Sequence, residues 1–171
     1  MVAGRRNVMF RTLILLAAAA ASTFAQSSAP VYPGYFISAG GGYTRNATPN
    51  AAEGWISAAL QIGANSPYYS ITTVDMTSTT SSIRTGVAKI FSQSGNLTLM
   101  GRMDAGLSTV SPVIGNFSGG GLILYNMKGI SPKLANMYLL GELRISAATA
   151  TSSAAPNQVT PGFYFGIGKS F

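Results

Sequence analysis

An all-β chain is what this sequence predicts: an eight-stranded antiparallel transmembrane up-and-down β-barrel, preceded by a cleavable signal peptide. Three observations carry the prediction. Only 9% of the 171 residues are charged, against about 25% in a typical soluble domain. Beyond Ala25 no apolar run approaches the length of a spanning helix. The remainder falls into segments of about ten residues that alternate large apolar with small or polar side chains, the pattern of strands lying between lipid and a lumen.

The front of the chain has the three parts of a secretory leader. Arg5, Arg6 and Arg11 make a basic start, "TLILLAAAAA" (Thr12 to Ala21) is a short apolar run, and Thr23 and Ala25 are small residues before a cut. A bilayer-spanning helix needs about 20 apolar residues, and this run falls well short. Residues 1–25 are therefore expected to be removed, leaving 26–171 as one barrel domain, secreted across the inner membrane. Three of the 11 basic residues leave with the leader, so the net charge of +7 overstates the mature chain. The rest are scattered, without the basic cluster that nucleic-acid binding needs. Neither cysteine nor histidine occurs, which removes disulfides and the usual metal ligands.

Period two is plain in four segments. "GWISAALQIG" sets Ile56, Ala58, Leu60 and Ile62 against Ser57, Ala59 and Gln61. "NLTLMGRMDAGL" sets Leu97, Leu99, Met103, Ala105 and Leu107 against Thr98, Arg102, Asp104 and Gly106. "MYLLGELRIS" opposes Met137, Leu139, Leu143 and Ile145 to Tyr138, Glu142 and Arg144. "GFYFGIGKSF" opposes Phe163, Phe165, Ile167 and Phe171 to Tyr164, Gly166, Gly168 and Ser170. "PGYFISAGGGYT", "YYSITTVDMT", "SIRTGVAKIFS" and "FSGGGLILYNM" complete the set as first, third, fourth and sixth strands. In the sixth, continuous Leu122–Ile123–Leu124 hides the two faces and suggests a bulge.

Seven polar or Pro/Gly-bearing breaks separate eight strands. An even count puts both chain ends on the periplasmic side, with the first, third, fifth and seventh breaks outside the cell. Aromatic residues then gather at two levels, where amphipathic rings suit the water–lipid interface. Tyr43, Trp55, Phe117 and Phe163 are expected at the outer rim. Tyr35, Phe36, Tyr68, Tyr69, Phe91, Tyr125, Tyr138 and Phe171 are expected at the periplasmic one, with Phe165 deeper. Unpaired backbone groups are untenable in hydrocarbon, so the first strand must close on the last.

The leader, the eight strands and the final "FYFGIGKSF" resemble the small eight-stranded outer-membrane barrels of Gram-negative bacteria, such as the transmembrane domain of outer membrane protein A and its relatives. The resemblance spans the whole mature chain as a pattern. It implies location in the cell outer membrane, contact with outer-membrane lipids, and a C-terminal signal read by the barrel-assembly machinery. Phe163, Phe165, Ile167 and Phe171 match that signal. Lys169 stands where the family has an apolar residue; at an interface its ammonium can snorkel into water.

Four acids occur: Glu53, Asp75, Asp104 and Glu142. Asp75, Asp104 and Glu142 fall on lumen-facing positions, as do Arg84, Arg102 and Arg144. Asp75 and Arg84 straddle "TSTTS" as near cross-strand neighbours. The other two Asp/Glu–Arg pairs rise to similar heights on strands of the same direction. An eight-stranded barrel is just wide enough for side chains to fill, so three acids and three arginines are expected to form a neutral network in the lumen. Its bland role is a plug, and its functional role a gate.

Enzymatic chemistry is not expected. Serine is plentiful, but no histidine is present to take its proton. A lysine base is the remaining option, but Lys89 and Lys169 are expected to face the periplasmic interface and Lys128 and Lys133 to sit in a turn. With Arg102 and Arg144 beside them, Asp104 and Glu142 are not expected to serve as a general acid. The glycine triplets at 40–42 and 119–121 lack the helix start of a phosphate loop and suit a crowded lumen or a curved strand. No cofactor is indicated. The leading expectation is a structural envelope protein with its lumen plugged. The alternatives are a narrow porin-like channel for water, ions or small solutes, and a secreted soluble β-barrel holding an apolar ligand.

Overall fold

The computed structural model describes residues 34–44, 51–78, 80–108, 115–149 and 158–171. The expected signal peptide (1–25) and parts of four expected connectors (45–50, 79, 109–114, 150–157) lie outside the described residues.

Eight strands form: β1 Tyr35–Thr44, β2 Ala51–Gln61, β3 Tyr68–Met76, β4 Ser81–Ser94, β5 Leu97–Ser108, β6 Gly115–Asn126, β7 Met137–Thr149 and β8 Gln158–Ser170. Each pairs antiparallel with the next, and β8 returns to β1 from Phe36↔Ser170 to Thr44↔Gly162, closing the barrel. Closure leaves no strand edge with unpaired N–H and C=O groups. We call the end where β1 begins and β8 finishes the base, and the opposite end the mouth.

The base carries tight connections. Gly95 and Asn96 alone join β4 to β5, and Gly95 takes φ +57°, a conformation glycine adopts without steric cost. Two single 3₁₀ turns, Met127–Gly129 and Pro132–Leu134, join β6 to β7. The Asn126 side chain pins this connector, accepting from the Lys128 N–H at 2.8 Å and donating to the Ala135 carbonyl at 2.9 Å.

Alternation decides what faces where. Outside, large apolar side chains are exposed all round the wall, Leu139 at 40% and Met103 at 72% marking the range within the strands, with Ile56, Leu60, Ile83, Val87, Ile123, Leu143, Phe165 and Ile167 between them. A soluble monomer rarely exposes a contiguous apolar surface of this extent. Inside lie Ser38, Ser57, Thr73, Arg84, Met100, Arg102, Leu122, Leu124, Leu140, Arg144 and Tyr164, all buried.

The sixth strand is regular. Ser118, Leu122 and Leu124 point inward and Phe117 and Ile123 outward, so the apolar triplet is an ordinary strand whose inner face is also apolar. The bulge lies in β4 instead, where the register with β5 slips between Ile90 and Ser92. The extra residue, Phe91, stays outside with its ring over Gly101, where an added Cβ would come within 2.5 Å of the ring.

The expected aromatic belts need correcting. Tyr43 and Phe163, paired across β1 and β8, and Phe117 are exposed towards the mouth. Tyr35, Tyr68, Phe91 and Phe171 are exposed towards the base, where Tyr35 stacks on Phe171 at 4.7 Å. Tyr125 is half-buried there. Trp55, however, is only 2% exposed and turns inward, as do Tyr69 and the half-buried Phe36 and Tyr138. The reason is parity: Trp55 shares a face with Ser57 and Ala59, and an indole on that face can only fill the lumen.

Candidate functional site

The mouth half of the lumen gathers the charges, and strand register places each of them. Thr73 lies opposite Arg84, so Asp75, two residues on, sits diagonal to it and pairs with its guanidinium. Ser118 lies opposite Asp104 on β5 and β6. Gly120 lies opposite Arg102 on one side and Arg144 on the other. A Cβ at Gly120 would fall 2.3 Å from the Leu143 carbonyl oxygen. The central glycine of the 119–121 triplet thus lets β6 pass between two arginine-bearing strands.

The six residues marked by the sequence form a closed alternation of charge. Asp75 pairs with Arg84, and Arg84 lies 3.6 Å from Asp104. Asp104 pairs with Arg102, which lies 3.6 Å from Glu142. Arg144 contacts Glu142 at 2.6 Å and returns to Asp75 at 2.9 Å. Hydroxyls complete the coordination: Arg84 Nη1 donates to Ser118 at 2.7 Å, Ser118 donates to Asp104, and Arg102 Nη2 donates across the lumen to Thr73 at 2.7 Å. Every one of these charged side chains is at most 4% exposed. Isolated ions so buried carry a desolvation cost of several kcal/mol each, which only dense pairing offsets. Arg84 is the least satisfied: its Nε has no hydrogen-bond partner, and its Nη2 meets Asp75 as an ion pair without hydrogen-bond angles.

Glu53, outside the six expected lumen charges, joins the network in the structure. Its Oε2 accepts from Thr44 at 2.8 Å and from the Tyr164 hydroxyl at 2.9 Å, and its Oε1 lies 3.9 Å from Arg144. Tyr164 also lays its ring against the Arg144 guanidinium, 4.1 Å from centroid to Cζ. The network therefore holds four carboxylates against three guanidiniums, and the expected neutral three-and-three balance is incomplete. The signal was present in the sequence: Glu53 and Trp55 precede Ser57 and Ala59 at the same parity. Extending the period by four residues towards the N-terminus, from Ser57 through Trp55 to Glu53, finds both.

The base half of the lumen is different in kind. Ile71, Ile90, Met100, Leu122, Leu124 and Leu140 pack there with Ala59, Tyr69 and Ala88. Phe36 meets Tyr138 edge-on at 5.6 Å. A residual cavity of about 20 Å³ remains among Phe36, Tyr69, Met100, Leu124 and Tyr138. Alternating polar-in, apolar-out strands gave no hint of this half, because Leu122, Leu124 and Leu140 sit beside equally apolar outward neighbours.

Among the described residues, no group of three or more His, Cys, Asp and Glu side chains is arranged to hold a metal ion. The lumen carboxylates are held by arginines and hydroxyls together, an arrangement that supplies packing and charge neutralisation.

The C-terminal positions Phe163, Phe165 and Ile167 all face outward from β8, and Phe171 follows at the base beside Tyr35. Lys169 is exposed on the same face.

No protein-family model and no curated protein matches the sequence. Among solved structures, one from the de novo design of transmembrane beta-barrels aligns over 82% of this chain and 98% of its own, at 15% identity and TM-score 0.57. The outer membrane protein Ail of Yersinia pestis, whose backbone structure was determined in a phospholipid bilayer nanodisc, aligns over 82% of this chain and 100% of its own, at 12% identity and TM-score 0.48. At such identities the likeness to the designed barrel is one of fold, and the fold this chain shares with it is a closed antiparallel β-barrel.

Proposed function

We propose that the chain is an integral outer-membrane protein with a structural role in the envelope. In this reading residues 1–25 direct export and 26–171 insert as a barrel with base inward and mouth outward. The surrounding lipid is its principal partner, and the outward residues Phe163, Phe165 and Ile167, with Phe171, present the signal to the assembly machinery. The observation that carries it is the pairing of an apolar outer wall with a lumen filled along its length. In water that wall would favour aggregation; in hydrocarbon it is matched to its solvent.

The filled lumen also weighs against the porin-like reading. Rearranging ion pairs in the mouth half would open only half the path. The base half is apolar and tightly packed, and a hydrophobic constriction resists wetting. A soluble barrel for an apolar ligand would place its apolar surface around an internal cavity, whereas here most of it is outside.

Planar-bilayer conductance tests the plug. The wild-type chain, Glu142→Gln and Arg102→Gln are all expected to be silent. Unitary currents from wild type, or from either variant, would replace the plug with a gated path. Refolding to a soluble state without detergent would replace the membrane reading altogether.

A further inference from the structure

All four lysines of the chain lie at the base. Lys89 stands opposite Tyr68, the first residue of β3, and Lys169 opposite Met137, the first residue of β7. Lys128 and Lys133 are exposed in the β6–β7 connector. The four carboxylate side chains of the chain are all drawn into the lumen, so none is left to neutralise this end. Two of the rim ammoniums, those of Lys89 and Lys169, rest against aromatic faces instead. Lys89 Nζ lies 5.1 Å from the Tyr68 centroid and 5.7 Å from that of Phe91, and Lys169 Nζ lies 4.8 Å from that of Phe171. A ring face orients a cation but leaves its charge uncompensated.

Apolar groups accompany the cations. Ile130, between Lys128 and Lys133, is 62% exposed, and the Tyr35–Phe171 stack and Tyr68 share the same end. Exposed rings and an aliphatic tip beside ammoniums suit the boundary between head groups and acyl chains, where stems lie in the apolar layer and charges reach water.

We propose that the base is a docking surface for anionic phospholipid head groups, with the lysine ammoniums binding phosphate oxygens while the rings and Ile130 seat at the head-group boundary. Lys128, Lys133 and Lys169 are exposed and Lys89 half-buried; an exposed ammonium is a hydrated point charge, able to bind a phosphate without the desolvation cost of a buried pair. The filled lumen turns every acidic side chain inward, and the four lysines thereby leave the base with a positive excess. The inference depends on the membrane-spanning reading, and one experiment separates the two.

The chain is refolded into phosphatidylcholine vesicles containing a trace of spin-labelled phosphatidylglycerol or spin-labelled phosphatidylcholine, and the fraction of label held at the protein is read by electron paramagnetic resonance. At low salt the anionic label is expected to be enriched about fivefold, a value matching one lysine engaged per lipid. The preference should fall towards unity as salt shortens the screening length to about 3 Å near 1 M. The variant with Lys89, Lys128, Lys133 and Lys169 all replaced by Gln should lose it, and the all-Arg counterpart should keep it. Heat-modifiable gel migration of the same samples reports insertion. A chain that inserts without preference, or whose preference survives in the Gln variant or in high salt, overturns the docking surface alone. A lysine-dependent preference for a phosphorylated glycolipid over phosphatidylglycerol overturns the assigned partner. A chain that enters neither vesicle overturns the membrane reading and this one with it.

Discussion

Arg144 shows what a single residue does in the lumen. Its fully buried side chain contacts Glu142, Asp75 and, at 3.9 Å, Glu53, and lies on the Tyr164 ring. Replacing it with Met keeps most of the volume but leaves three carboxylates short of one cation. Arg144→Met is expected to cost about 3–5 kcal/mol, the range for breaking a buried pair from one side. Trp55, the only tryptophan and buried in the same lumen, supplies the fluorescence readout for urea unfolding in lipid. Adding Glu142→Gln should recover part of the loss, so the double variant costs less than the two singles together. A single cost below about 1 kcal/mol would mean that the charges are hydrated rather than sealed. Glycines give a second residue-scale comparison. A Cβ at Gly166 would lie 2.5 Å from the Ala39 carbonyl oxygen and 2.6 Å from the Trp55 ring, whereas one at Gly41 meets nothing nearer than the Glu53 carbonyl oxygen at 3.6 Å. Gly166→Ala should destabilise by about 1–3 kcal/mol through overpacking and shift the Trp55 emission. Gly41→Ala should stay within about 0.5 kcal/mol of wild type. Equal effects at the two sites would refute the inward packing of Trp55.

At the scale of the strand, one rule accounts for both faces: successive side chains alternate, so a strand's composition is two interleaved lists. Where the lists differ, as in β5 with Thr98, Arg102 and Asp104 against Leu97, Met103 and Leu107, the faces are readable without coordinates. Where both are apolar, as at Leu122–Ile123–Leu124, they are not, and only the neighbouring polar position, Ser118, fixes the phase. A nitroxide attached at Ile123→Cys, in a chain free of native cysteine, should collide readily with dissolved oxygen in the bilayer. The same label at Leu122→Cys or Leu124→Cys should be shielded. Comparable accessibility at all three positions would mean that β6 is bulged after all. The bulge in β4 had no such sequence signal, because Ile90, Phe91 and Ser92 alternate normally; the extra residue is visible only against Leu99 and Met100 on the partner strand.

At the scale of the whole molecule, closure and charge separation are linked. Pairing β1 with β8 creates an interior, the interior takes all the acids and three arginines, and the lysines remain outside at one end. A closed barrel held by eight antiparallel ladders should resist detergent until heated. Unboiled and boiled samples are therefore expected to run at different apparent masses on a gel, and identical migration would argue for an open sheet. The lumen's two halves, ionic near the mouth and apolar near the base, also predict that no single charge removal changes this shift, since the apolar half still packs.

The strand count, the lumen positions of the six charged residues and the outward positions of Phe163, Phe165 and Ile167 were legible in the sequence because they follow from local alternation, which each segment carries within itself. The same alternation, extended four residues back from Ser57, turns Trp55 and Glu53 inward. Of the charge contacts, only Asp75 with Arg84 was legible, because a short turn joins their strands; the partners across the lumen were not. Arg102 reaches Thr73 from β5 to β3, and Arg144 reaches Asp75 from β7 to β3. Such partners are set by strand tilt, register and the curvature of closure, quantities that belong to the sheet as a whole, so only the tertiary structure decided them.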